Sequence, residues 1–497
     1  MTDLTFDQWR ERARHARRDW PAFIDGRTTG AVSGEDFAMV DPATGKAWAR
    51  VASCGAADVD LAVKSARAAF EDRRWAGLKP RERKRILLKL AELMRQNREE
   101  LALLETLSVG KPIAQALAID LRAAPDAIAY YAEACDKVYD QIAPTGDNDI
   151  ALIVKEAIGV VGLVVPWNFP LMMACWKLGP ALAAGNSVVL KPAEQSPLSA
   201  LRLGELAIEA GLPVGVLNVV PGFGETAGKA LGLHPDVDVI AFTGSTEVGK
   251  LFLTYSGQSN MKKVWLECGG KTPNIVMADC PDIDVAVAAA VEGVFFNQGE
   301  MCTSASRLLV DRKIKERFLA GLLKHTKSWV PGNPLDPATI SGSLVSAGHM
   351  KTVLGYIESA REEGALVAAG GGQVLAETGG AFVAPTLLDK VTPGMRVARE
   401  EIFGPVLSII EFDGEDEAIE IANGTVYGLG AAIWTSNLST AHRMARRVKA
   451  GIVYVNCFDA DDITTPFGGY KQSGIGRDKS LHAIDKYTET KTVWIRI

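Results

Sequence analysis

Between residues 157 and 267 the chain repeats one pattern, a short apolar run followed by a longer stretch with helical spacing. The runs lie at 158–165, 187–190, 216–220, 239–243 and 264–266, and the helical stretches at 171–184, 198–210, 225–231 and 246–255. Runs without polar alternation read as strands buried on both faces, and parallel strands need a crossover, usually a helix. The pattern predicts an α/β fold with a doubly wound, Rossmann-like sheet whose ligands sit at the carboxyl ends of its strands. Those ends carry Trp167, Asn168, Phe169, Lys191, Glu194, Gly224, Gly244, Ser245 and Glu267.

A second alternation predicts another α/β domain: strands at 274–277, 403–412, 430–434 and 452–456, with helices near 313–327 and 438–449. Ahead of the first sheet, Asp25-Gly26 and 41–46 read as turns of an antiparallel layer. From Pro80 a helical face of Leu87, Leu90, Met94, Leu101 and Leu104 runs to a stop at Gly110. Apolar strands at 149–154 and 492–497 have no obvious home sheet, as expected of edges meant for a partner subunit. The expected division is 1–137 with 158–268 as a nucleotide-binding domain, 269–470 as a catalytic domain, and 138–157 with 480–497 as a small β oligomerisation element. A chain of 497 residues has room for two or three such units.

A formal net charge of −6 speaks against nucleic-acid or anionic-membrane partners, and no apolar run approaches the ~20 residues that span a bilayer. Seven scattered cysteines without a CxxC pair suit a reducing, cytoplasmic setting, and the six histidines show no metal-ligand spacing, so no metal is expected.

The chemistry centres on Cys302, which emerges from Asn297-Gln298-Gly299-Glu300-Met301 on a bend between a helix and a strand. A thiol with a pKa of about 8.5 needs a base or a positive field to act as a nucleophile. Glu267, 35 residues earlier and beside Gly269-Gly270, supplies a carboxylate at a strand end. The Asn168 amide, in Pro-Trp-Asn-Phe-Pro, can donate to an oxyanion. Thr243 to Gly249 forms a strand-to-helix turn with GxxxxG spacing that can hold a phosphate. A carboxylate such as Glu194 can accept ribose hydroxyls. Taken alone, each of these also fits a plain structural role.

Together the motifs Pro-Trp-Asn-Phe-Pro, Phe-Thr-Gly-Ser-Thr, Leu-Glu-Cys-Gly-Gly-Lys, Gly-Glu-Met-Cys, Glu-Glu-Ile-Phe-Gly-Pro and Pro-Phe-Gly-Gly-Tyr-Lys resemble the aldehyde dehydrogenase superfamily, in order and over nearly the whole chain. The sequence is most similar to the bacterial aminoaldehyde group, which includes the γ-glutamyl-γ-aminobutyraldehyde dehydrogenases of putrescine breakdown. The resemblance implies Cys302 as nucleophile, Glu267 as general base, and Asn168 with the Cys302 N–H as oxyanion hole. It implies NAD held by Trp167, Lys191, Glu194, Gly224, Gly244, Ser245, Gly249, Glu401 and Phe403. Asp478 stands where the family often has a glutamate as a second acid. A homo-oligomer, dimer or tetramer, is implied as well.

For the substrate, the resemblance implies an acidic loop (Asp459, Asp461, Asp462) and Asp120 at the mouth, with Phe169, Trp176 and Phe467 below. That set suits an aldehyde with a cationic far end. The alternatives are a neutral aliphatic or aromatic aldehyde, a cysteine hydrolase of the nitrilase type, or a non-catalytic protein that kept the fold. The nitrilase order of Glu, Lys and Cys does not match Lys191 preceding Glu267.

Overall fold

The apolar runs assemble into the sheet their pattern predicts. The computed structural model describes residues 4–16 and 18–497, so residues 1–3 and 17 of the first expected segment lie outside that description. Lys263–Glu267, Val239–Thr243, Val160–Val164, Ser187–Lys191 and Leu217–Val219 are parallel neighbours in that order. Successive side chains point to opposite faces: Val161 and Leu163 pack with the helices Pro170–Ala184 and Leu198–Ala210, while Val160 and Val164 pack with Ala56–Glu71. Each fully buried Val or Leu of this kind contributes roughly 1.5–3 kcal/mol. The chain steps outward from Val160–Val164 on one side and then returns to lay Val239–Thr243 on the other. The carboxyl ends of those two strands therefore bound the crevice where such sheets bind ligands.

The second sheet orders Leu366–Ala369, Thr386–Asp389, Val406–Phe412, Arg307–Asp311, Pro273–Val276, Gly430–Trp434 and Ile452–Val455, all parallel except the first. The chain passes from Lys263–Glu267 to Pro273–Val276 through five residues. Carboxyl ends of the first sheet thus face amino ends of the second, and Cys302 lies ahead of Arg307–Asp311 on that shared side.

Three expectations change. The hairpin Ala22–Ile24 and Arg27–Thr29 does not stand in a separate antiparallel layer; it extends the large sheet through an antiparallel pair of Phe23 with Val219. Gly204 makes room for this, since a Cβ there would lie 2.7 Å from the Phe23 ring. The helix begun at Pro80 breaks at Asn97 into Pro80–Gln96 and Arg98–Val109, although Leu87, Leu90, Met94, Leu101 and Leu104 are all buried and Gly110 ends the second in a left-handed turn. The strands thought to lack a home sheet find each other. Asp149–Ala157 pairs antiparallel with Thr488–Arg496 along its full length, with Gln141–Ala143 on its outer side. Among the described residues, no helix is long and apolar enough to cross a membrane.

Candidate active site

The two sheets enclose a cavity of about 460 Å³. Trp167, Asn168, Phe169 and Trp176 come to it from the first sheet and the helix behind it, with Gly244 and Ser245 from the neighbouring strand end. Cys302, Glu401 and Phe403 come from the second sheet, and Asp459, Asp461 and Phe467 from the loop at its mouth.

The turn carrying Cys302 is wound tightly. Asn297 (φ 49°), Gln298 (φ 57°) and Gly299 (φ 74°) are successive left-handed residues, a costly run that persists only where surrounding bonds impose it. Here Asn297 Nδ2 donates to the carbonyls of Asn168 (3.2 Å) and Glu300 (3.1 Å), and Gly342 N donates to Gln298 Oε1 (2.8 Å). Asn168 Nδ2 donates to the Glu300 carbonyl at 2.9 Å, which leaves its second N–H for the cavity. The thiol is half-buried. Burial, then Glu401, Glu267 and Asp459, hold it protonated, while the Thr303 N–H favours the thiolate.

Gly269 and Gly270 explain how the two sheets meet here. A Cβ on Gly269 would sit 1.9 Å from Glu401 Oε2, and one on Gly270 would sit 2.3 Å from the Cys302 carbonyl. Gly270 N donates to Glu401 Oε1 at 3.0 Å. Burial raises Glu401 to about 7, against that bond and Lys271.

Glu267 is buried with neither carboxylate oxygen bonded, and burial first, then Asp478, raise its pKa well above the usual range. Its Oε1 lies beside Gly468, where a Cβ would come within 2.7 Å. Asp478 does not line the cavity. It is locked between Lys177 Nζ (2.6 Å) and Lys486 Nζ, all three buried. A relay through a free second acid is therefore not what the geometry offers; the carboxylate here is fully engaged by two ammonium groups. Lys177 and Lys486 were not anticipated. The signal available was a lysine inside the otherwise apolar helix Pro170–Ala184.

At the far end of the crevice Lys191 Nζ, itself buried, lies 3.3 Å from Glu194. Ser245 caps the helix Thr246–Gln258 by accepting from Val248 N. Gly224 is exposed with open space where a side chain would be. Gly249 does not face the ligand space: a Cβ there would meet Cys268 Sγ at 2.8 Å, so its smallness serves helix-to-sheet packing. An unpartnered, buried Thr243 hydroxyl, the helix start at Ser245, and the Lys191–Glu194 pair fit the phosphate and ribose of a dinucleotide.

The expected acidic mouth is largely spent. Asp120 is fully buried and bonded to Lys111 Nζ at 2.6 Å, because the turn Ala116–Asp120 directs it inward. Asp462 bonds to its own turn at Thr464 N (2.8 Å) and Oγ1 (2.6 Å) and does not reach the cavity. Asp461 is paired with Lys479. The aromatic faces are also occupied: Lys111 sits 3.9 Å from the Phe169 ring centre and Lys479 5.3 Å from that of Trp176. Asp459 is the carboxylate of the set left unpaired at the cavity. Packing around its carboxyl, then Asp461 and Glu292, raise it to about 7. Arg122, not anticipated, lines the same cavity.

A sequence profile of the aldehyde dehydrogenase family matches residues 29–493. The chain is 52% identical to the NADP/NAD-dependent aldehyde dehydrogenase PuuC of Escherichia coli (strain K12), over 98% of each chain. It is also 52% identical to an aminoacetaldehyde dehydrogenase of Pseudomonas aeruginosa, over 95% of each. Among solved structures, an indole-3-acetaldehyde dehydrogenase mutant of P. syringae, in complex with NAD+ and IAA, superposes with a TM-score of 0.98 at 56% identity. That match covers 99% of this chain and 100% of the other.

The buried triad sets a stability test. Burial opposes ionisation of Asp478, but the charges of Lys177 and Lys486 outweigh it and bring the carboxyl down to about 2. Its contribution is therefore complete above about pH 4, the ordinary aspartate range, and is lost as pH falls toward the folded value. Asp478→Asn leaves two buried ammonium groups without their counter-ion and is expected to cost about 3–5 kcal/mol in urea unfolding at pH 7. A loss below about 1 kcal/mol would show that the triad does not carry this load.

Proposed function

This chain belongs to the aldehyde dehydrogenase family and is an NAD-dependent oxidoreductase acting on aldehydes; from that premise we propose that it forms a free carboxylic acid through a thioester on Cys302. The observation that carries this is Glu267, a buried carboxylate with no bonding partner and a raised proton affinity, close enough to Cys302 to oppose its ionisation. Nothing in its packing uses such a group, whereas a base for a thiol and then for water does.

In the proposed course, Glu267 takes the Cys302 proton as the sulfur adds to the aldehyde carbon. The free Asn168 N–H and the Cys302 N–H stabilise the oxyanion. Bound NAD+ supplies the acceptor for the hydride that leaves that carbon. The proton Glu267 took from Cys302 passes to solvent; Glu267 then takes a proton from a water that attacks the thioester, the C–S bond breaks, and the departing thiolate takes that proton back, restoring the thiol as the acid leaves. Lys191, Glu194 and Ser245 are proposed to hold the adenosine and phosphate side of the cofactor, and Glu401 with Phe403 the nicotinamide side.

For the substrate, we infer an aldehyde whose far end carries an amine, of the ω-amino, guanidino or γ-glutamylamino kind. Unpaired Asp459 and Arg122 on one cavity favour the last, because it bears both an ammonium and a carboxylate. A neutral aromatic aldehyde is the second reading, favoured by the Met172, Met173, Trp176 and Phe467 walls. A role in polyamine breakdown, in the cytoplasm, follows from the first. The outer three-stranded sheet exposes Trp494, Ile495 and Ile142, which supports a homo-oligomer.

Three measurements test these proposals. Glu267→Gln lacks the base for both steps, so it should release about one equivalent of NADH slowly and then stall, whereas Cys302→Ala should release none; a rapid burst before the stall would confine Glu267 to the water step, and normal turnover would remove the base assignment. Glu194 would repel a 2′-phosphate, so kcat/KM should favour NAD+ over NADP+, and Glu194→Ser should narrow the ratio. Equal ratios in both proteins would contradict the placement. Asp459→Asn should raise KM for an amino aldehyde on the order of ten-fold at pH 8, where its carboxyl is ionised, and leave a neutral aldehyde of equal length nearly unchanged. Asp461→Asn, which only frees Lys479, should affect both substrates alike. If Asp459→Asn does the same, the neutral reading stands.

A further inference from the structure

Phe403 adopts φ 57°, a left-handed conformation that is strained for a bulky residue, and its ring lines the cavity beside Trp167. The reason it holds lies outside the cavity. His349, on the first turn of the helix Ala347–Glu362, places Nε2 2.7 Å from the Phe403 carbonyl. A carbonyl can only accept, so this nitrogen carries the proton and donates. The ring also meets Trp167 edge-on (5.6 Å, 65°) and Phe403 (6.2 Å, 67°), while Trp167 and Phe403 meet at 5.3 Å and 88°. Ser346 fixes the helix start by accepting from His349 N at 3.1 Å. The same helix presses Val353 against Gly404, where a Cβ would come within 2.6 Å. Glu300 Oε1 lies 3.9 Å from His349 Nε2 and accepts from Val345 N, which closes the cluster against the Cys302 turn.

We infer that His349 is the positioning residue that fixes Phe403 in its left-handed conformation and thereby sets the Trp167–Phe403 wall where the nicotinamide end of the cofactor rests. It does not line the cavity; it acts through a backbone bond and two ring edges. Burial keeps the imidazole neutral, which suits a single Nε2–H donor. Without that donor the Phe403 backbone is free to relax, and both its ring and the adjoining Glu401 carboxylate lose their alignment. The inference rests on the proposal that Glu401 and Phe403 hold the cofactor.

The test is the calorimetric Kd for NAD+ of the full-length protein as wild type, His349→Leu, His349→Gln and Glu401→Gln. His349→Leu should bind NAD+ five- to ten-fold more weakly, the order of one lost hydrogen bond. His349→Gln, whose amide can also donate, should recover most of the affinity. Alkylation of Cys302 by iodoacetamide without cofactor should proceed at the wild-type rate in His349→Leu, because the thiol turn has its own bonds. Wild-type affinity in His349→Leu beside a weakened Glu401→Gln would overturn the inference alone. Unchanged affinity in both would overturn the cofactor placement on which it rests. Should His349→Leu fail to fold, nitrogen NMR of ¹⁵N-histidine protein decides: an Nε2–H tautomer at the signal removed in His349→Gln supports the clamp, and an Nδ1–H tautomer there refutes it.

Discussion

Everything in this site depends on how closely two sheets can approach along Gly269-Gly270. The backbone after Glu267 must pass within contact distance of a carboxylate from one segment and a carbonyl from another, and a single methyl group at either position would push them apart. The contact fixes Glu401 through Gly270 N and seats the Cys302 turn against the end of the first sheet. Gly299 repeats the device on the other side, where a Cβ would lie 2.2 Å from the Gly404 carbonyl. Three residues without side chains thus set the relative position of Cys302, Glu267 and the segment carrying Phe403. Interiors are packed too densely for such contacts to relax without moving their neighbours.

Behind this seam lie two buried ionic groups. Lys177, Asp478 and Lys486 stand next to Glu267; Lys111 and Asp120 stand behind Phe169, with Glu105 bonding to Leu171 N and Ser199. Buried ion pairs add little net stability compared with apolar packing, because desolvation offsets their attraction. Their value here is geometric and electrostatic. Asp478 raises the proton affinity of Glu267 while the two lysines restrain it, and Lys111 lies over the Phe169 ring.

The sequence reveals the fold wherever burial is two-sided. The five parallel strands and their crossover helices follow from uninterrupted apolar runs, and Cys302, Glu267, Asn168, Glu401 and Phe403 are recognisable from motif and strand-end position, then found around one seam. Misplaced residues share a physical cause. The resemblance to aminoaldehyde enzymes implies Asp120 at the mouth, but one turn of altered helix geometry faces it inward to Lys111, a partner nine residues away that spacing alone does not identify. Asp462 satisfies its own turn, as Asp commonly does. Gly249 looked like part of a phosphate turn because small residues serve both packing and ligand approach. The edge strands at 149–157 and 488–496 fall in one small β element already in the sequence, but their pairing and register are not legible there, since the two lie more than 300 residues apart.

The same accounting bears on charge at the site. Glu267, Glu401 and Asp459 all stand near one thiol, and the proton affinity of each is raised by desolvation, which lessens the negative charge facing the sulfur even though Asp459 itself is on an exposed loop. A fully ionised cluster would suppress the thiolate it is meant to generate. A cation at the mouth would favour the ionised form of Asp459, so the charge of that carboxyl responds to what enters.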